Sequence, residues 1–247
     1  MYINDVHILA YLFIALLGGA VGFFSDWCNK RLPEDKKIFT KEFFLEYKTK
    51  LKPDYVLIFI SAILYVILLY VHGIEDTFIK NLTLIQYLLL TPMLLSTFVI
   101  DKKLTIIPNR LNLTMFEIGL VVCFINGINN FTLAVNSVLG MLLGAGIFAI
   151  ISLVGGLIAG REAMGMGDVK LMGALGLYFG LINTGMISVL AFLIGAVISI
   201  IVLIRKKSED GYMPFGPFIV IAAFITMIVP TEILLKILLE ILTLGMI

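Results

Sequence analysis

Residues 82–100 read LTLIQYLLLTPMLLSTFVI, an uncharged run that ends directly against Asp101. A helix needs about 20 apolar residues to cross the hydrocarbon of a bilayer, and this stretch supplies that length with no charge to solvate. Working outward from it, further apolar runs fall near residues 8–25, 54–72, 111–128, 133–160, 170–186, 187–204 and 214–235. The fold class expected is therefore all-α: a polytopic integral membrane helical bundle of about eight transmembrane helices. Composition agrees. Of 247 residues, 60% are hydrophobic and only 14% charged, against roughly half and a quarter in soluble domains, and the mean hydropathy is +1.08. A soluble enzyme, a nucleic-acid-binding domain and a disordered tail are excluded on that ground. A net charge of +1 likewise points to no polyanionic partner. The lipid bilayer is the first partner implied.

The distribution of charge says more than its sum. Sixteen of the eighteen Lys and Arg residues fall in alternate loops: from Lys30 to Lys52, at Lys102, Lys103 and Arg110, at Arg161 and Lys170, and from Arg205 to Lys207. Only Lys80 and Lys236 remain for the other side. Short basic loops stay in the cytoplasm, so the expected N-terminus is outside and those four loops are cytoplasmic, in the inner (cytoplasmic) membrane of a cell. The first apolar run resembles a signal peptide, yet residues 1–7 carry no Lys or Arg and no small-residue cleavage site follows, so a retained helix is expected. Within 26–53, Phe39, Phe43, Phe44 and Tyr47 recur at near-helical spacing, which fits either an amphipathic helix on the membrane face or a plain connector. Residues 231–247 are apolar but carry Glu232, Lys236 and Glu240; they either continue the last span past Pro230 or lie along the interface.

A carboxylate next to hydrocarbon is costly unless paired or hydrated, so acids near the spans are where function shows. Asp101 closes its span with no polar spacer. Asp168 lies in Gly165-Met166-Gly167-Asp168-Val169-Lys170, just before span six. Two crossings separate them, which returns Asp168 to the face on which Asp101 is expected. Two facing aspartates share one proton, and one can then act as base towards a water while the other acts as acid towards a peptide carbonyl. That chemistry needs no metal or cofactor. His7 and His72, the only histidines, are expected near the outer face, so a histidine triad and a His-ligated metal are improbable. Cys28 and Cys123 are too few for a disulfide framework or a zinc site. Gly165 and Gly167 remove side chains where a substrate strand would approach, and a helix N-terminus at Asp168 favours its charged, base form. Gly140, Gly144, Gly173, Gly176 and Gly180 mark faces for close helix packing. Glu117, about two turns into span four, faces a watery cavity or snorkels. The alternative is a polytopic transporter or ion-binding protein that uses Asp101 and Asp168.

Gly165 to Lys170 resembles the Gly-x-Gly-Asp-x-Lys signature of the type IV prepilin leader peptidases, a family of membrane aspartic proteases. Asp101 followed seven residues later by Pro108-Asn109 is similar to the family's first catalytic segment, Pro214-Phe215-Gly216-Pro217-Phe218 to its late element, and Gly22 to Pro33 to its N-terminal element. The resemblance implies catalytic Asp101 and Asp168, with Gly165, Gly167, Lys170, Pro108 and Asn109 binding substrate or shaping the site. It divides the chain into 1–53, a first helix with its cytoplasmic loop, and 54–247, the membrane-embedded protease. The substrate implied is a prepilin or pseudopilin precursor, cut after a short basic leader at the cytoplasmic face. Presenilin-type proteases share Gly-x-Gly-Asp but carry a Pro-Ala-Leu element where this chain has Pro-Phe-Gly-Pro-Phe. Many members hold zinc on two Cys-x-x-Cys pairs after Arg-Leu-Pro; this loop has no cysteine, so zinc is not expected. Members often also methylate the new N-terminus with S-adenosylmethionine through the N-terminal part, where Phe23, Ser25 and Asp26 depart from the family pattern.

Overall fold

The computed structural model describes residues 2–4, 6–34, 53–160, 164–204 and 213–242. The stretch carrying Phe39, Phe43, Phe44 and Tyr47 lies outside the described residues, as do residues 243–247. Among the described residues, apart from a two-residue antiparallel strand pair, β1 (Tyr2–Ile3) and β2 (Val6–His7), the secondary structure is helical. The helices are α1 (Ile8–Arg31), α2 (Tyr55–His72), α3 (Phe78–Leu104), α4 (Asn109–Asn129), α5 (Phe131–Ala159), α6 (Met166–Ile204), α7 (Gly216–Ile228) and α8 (Thr231–Leu242). A single 3-10 turn, Leu32–Glu34, follows α1. The first six helices are long and apolar enough to cross a membrane, and α7 with α8, bent by 117°, counts as a seventh if taken as one span. The all-α, multi-pass reading holds. The chain packs as two compact units, Met1–Leu104 and Thr105–Ile247.

In the first unit, α1 lies on α2 through glycines. A Cβ at Gly18 would come within 2.9 Å of Tyr65, and one at Gly22 within 2.9 Å of the Ile58 backbone and the Ser61 side chain. Small residues let two helices approach to backbone distance where no hydrophobic effect drives them together in lipid. Gly22, part of the N-terminal motif, is therefore a packing residue. Helix α3 carries Pro92 in its interior, which removes the N–H that the Leu88 carbonyl would otherwise receive. The Tyr65 hydroxyl donates to that carbonyl at 2.7 Å, so the acceptor is satisfied from the neighbouring helix. At the end of α1, Asp26 accepts from the Lys30 ammonium at 2.7 Å and from the backbone N–H of Asp54 at 3.2 Å. One carboxylate thus ties the end of α1 to the residue that caps α2.

In the second unit, α5 and α6 press backbone on backbone. A Cβ at Gly140 would lie 2.5 Å from the Gly176 carbonyl oxygen, and one at Gly144 2.5 Å from that of Met172. The glycine faces expected from sequence are these. The two helices expected over 170–186 and 187–204 are the two segments of α6 on either side of Gly180, so the break falls there rather than between 186 and 187. Gly180 takes φ 70° and ψ −177°, a left-handed conformation that costs glycine nothing. Asn136 fixes the break, its Oδ1 accepting from the backbone N–H of Leu181 at 3.1 Å. Helix α8 does not extend α7: Pro230 breaks the run, and Thr231 donates to Asn183 of α6 at 2.6 Å. Pro214 to Phe218 starts α7 and anchors an aromatic cluster, Phe215 lying 5.2 Å from Phe192, 5.9 Å from Phe148 and 5.6 Å from Phe218 between ring centres.

Candidate active site

Asp168 occupies the first turn of α6, as the sequence suggests. Its backbone N–H donates to the Gly165 carbonyl at 3.0 Å, closing the turn that starts the helix. Its side chain is 8% exposed. Neither Gly165 nor Gly167 adopts a left-handed conformation, so the two glycines act through space and not through backbone freedom. A Cβ at Gly165 would stand 3.5 Å from Asp168 Oδ2, in contact with the carboxylate. A Cβ at Gly167 would meet Ile107 at 3.1 Å, tighter than ordinary packing. Gly167 is small because α6 starts hard against the entry to α4.

That entry is where the residues after the first motif are found. Pro108 precedes α4, and its carbonyl accepts from the backbone N–H of Leu111 at 3.0 Å. Asn109 Oδ1 accepts from Lys170 Nζ at 2.8 Å. Asn112, one helical turn on, donates through Nδ2 to the Gly167 carbonyl at 3.1 Å. The structure thus brings Pro108, Asn109 and Ile107 together with Gly167, Asp168 and Lys170 inside the second unit, across 55 and 61 positions of sequence. Ser152 of α5 adds a bond from its hydroxyl to the Met164 carbonyl at 3.0 Å.

Asn112 stands in an i, i+3 relation to Asn109 at the start of α4, which is its signal in the sequence. It is 3% exposed, and its Oδ1 has no hydrogen-bond donor. The amide orientation is fixed because the Gly167 carbonyl can only accept. A buried acceptor left unmade costs about 1–3 kcal/mol, so such an atom is expected to have a use. Asn112 also lines a cavity of about 500 Å³ between α4, α5 and α6, beside Lys170 and Asn109. The remaining wall is hydrocarbon, including Phe116, Met141, Leu142 and Ala145.

Asp101 lies in the last turn of α3, in the first unit, and is 5% exposed. The three residues that follow it, Lys102, Lys103 and Leu104, are exposed. Thr105 then takes φ 54°, a left-handed conformation that is rare for a β-branched residue, and ends the helix. Glu117 is exposed on α4. Among the described residues, no group of three or more His, Cys, Asp or Glu could hold a metal ion, and Cys28 and Cys123 are both buried.

These two aspartates and their flanking segments fall within one recognisable stretch of sequence. Residues 88–200 match the type IV leader peptidase family. Relatives named prepilin leader peptidase/N-methyltransferase align with the chain from Pseudomonas aeruginosa at 34% identity, Legionella pneumophila at 33% and Aeromonas hydrophila at 31%. The alignments cover 57%, 55% and 57% of this chain and 48%, 46% and 48% of the relatives. The chain spans about half the length of the curated relatives it matches. No solved structure matches it. The second activity in those names implies a methyl donor such as S-adenosylmethionine for those relatives. The charged side chains of the N-terminal motif have neighbours within the first unit: Asp26 holds Lys30 and the Asp54 N–H, while Arg31 lies 4.3 Å over the Trp27 ring. Among the described residues, these side chains serve the end of α1.

Proposed function

We propose that the chain is a membrane aspartic endopeptidase that removes the short basic leader of type IV prepilins or pseudopilins at the cytoplasmic face of the inner membrane. Asp101 and Asp168 are its catalytic pair. The observation that carries the reading is that the matched stretch contains both aspartates, each buried in an end turn of an apolar helix. A transporter would be expected to carry its carboxylates near the middle of its spans. Asp101 precedes Ile107 by six positions, and Ile107 packs on Gly167 beside Asp168.

In the mechanism, one carboxylate takes a proton from a water as its oxygen attacks the carbonyl carbon of the scissile peptide. The other, protonated, donates to the developing oxyanion and then to the leaving amine. Asp168 suits the base role, since it sits at the positive end of a helix dipole, and Asp101 suits the acid role at a negative end. Lys170 and Asn109 bind the substrate backbone or brace the turn that carries Asp168. Because one proton serves the pair, cleavage is lost at high pH when that proton leaves and at low pH when the base gains one. Methyl transfer is no part of this proposal. Co-expression with a candidate prepilin tests it. Asp101→Asn and Asp168→Asn should each abolish leader removal, read by mass spectrometry, while the protein still accumulates in the membrane. Normal processing by either variant removes that residue from the site.

A further inference from the structure

The cavity between α4, α5 and α6 has two features that call for an occupant of a particular kind. Its walls are aliphatic and aromatic, from Leu113, Phe116, Met141, Leu142 and Ala145, and its volume of about 500 Å³ holds a few apolar side chains. Asn112, on the same wall and 3% exposed, carries an acceptor with no donor. A lipid acyl chain would fill the space and leave that oxygen unpaired. A peptide would answer both features, because a protease must hold its substrate unwound at the scissile bond. Each N–H released from a helix in apolar surroundings then needs an acceptor. The charges at the rim decide which part of a substrate enters. Lys170, bonded to Asn109, and exposed Arg110 in the same helical turn disfavour a basic leader. The apolar segment beyond the cleavage point carries no such penalty.

We propose that this cavity receives the first apolar residues after the scissile bond, and that Asn112 Oδ1 accepts a backbone N–H from them. The assignment rests on the peptidase reading above and adds a substrate-binding residue and a direction: the leader lies away from Lys170, and the apolar segment runs between α4 and α5. Asn112 then acts on substrate binding more than on the chemical step.

Two measurements on the full chain in liposomes test this. Benzoyl-phenylalanine placed at Leu142, in the Asp168→Asn variant so that substrate persists, should cross-link to prepilin residues just after the cleavage point, and excess unlabelled prepilin should compete. In the otherwise unaltered protein, replacing prepilin amides one at a time by esters should cost about tenfold in kcat/KM at one position after the cleavage point, mainly through KM, and little at its neighbours. Asn112→Leu should cost a similar factor, and combining it with that ester should cost no more than either change alone. A cross-link to lipid only, or ester losses spread evenly over all positions, overturns the assignment while the peptidase reading stands. The ester series needs no variant, so a poorly folding Asn112→Leu does not remove the test. If the unaltered chain cuts no prepilin at all, the peptidase reading falls, and this assignment falls with it.

Discussion

Asp101 ends a helix, and Asp168 begins one. Asp101 is buried at the end of a continuous element: α3 runs to it without a break, and the three residues beyond it are exposed. Around Asp168 the structure is assembled from distant segments, with Ile107, Asn109, Asn112 and Ser152 all set against the turn 164–170. The difference is one of support. A carboxylate at the end of a long helix inherits the position of that helix, whereas a carboxylate on a glycine turn is placed by the segments that pack on that turn.

The comparison yields an ordered set of expectations. The largest effects are common to both regions: Asp101→Asn and Asp168→Asn should each lower leader cleavage by about a thousandfold or more, since neither carboxylate replaces the other. Gly176→Val comes next. Its side chain would run into the Gly140 backbone, which cannot swing aside, so a loss of at least about 3 kcal/mol is expected and would appear as poor membrane accumulation and early thermal unfolding in detergent. Gly167→Val should push Ile107 and shift the Asp168 turn, lowering kcat/KM about tenfold with near-normal accumulation. Lys103→Ala, on the exposed stretch after Asp101, should do almost nothing; equal losses from the two would break the contrast. Asn109→Ala and Lys170→Ala, which remove one exposed bond, should each cost no more than about fivefold, and the double variant no more than either. The smallest effect is none: EDTA, and the Cys28→Ser, Cys123→Ala double substitution, should leave proteolysis intact, because two carboxylates supply both acid and base.

Much of this was legible from spacing. The run 82–100 with Asp101 at its end gave α3, and the glycines before Asp168 gave a helix start there. What sequence did not disclose depends on partners remote in the chain. The break at Gly180 lies inside an uninterrupted apolar run, and only Asn136 opposite distinguishes it from the other glycines of α6. Pro92 leaves the Leu88 carbonyl without its helical donor, and the tyrosine hydroxyl that satisfies it comes from another helix. Asn112 is one asparagine among several until its two amide atoms are seen to differ, one bonded to Gly167 and the other without a donor. Pro214 to Phe218 reads as a motif, but its role as an aromatic anchor needs Phe148 and Phe192 from two other helices.

The break in α6 bears on bilayer thickness. Helix α6 has 39 residues, and Gly180 divides it into two segments that both reach Gly144 of α5, Met172 from the first and Thr184 from the second, so each segment alone is to be set against a hydrocarbon layer of about 30 Å. Gly180 lies against Asn136, six residues along the chain from the handover between α4 and α5 at Asn130, and Asp168 lies near the start of α4. Between them the stretch 166–179 rises only about 21 Å, some 9 Å less than the hydrocarbon it must match. Either the lipid thins around this segment or one of its ends sits below the headgroups, and both responses stiffen as acyl chains lengthen. Turnover by the reconstituted protein should therefore fall in bilayers of longer-chain lipids, a sensitivity set by one glycine at the far end of the helix that carries Asp168.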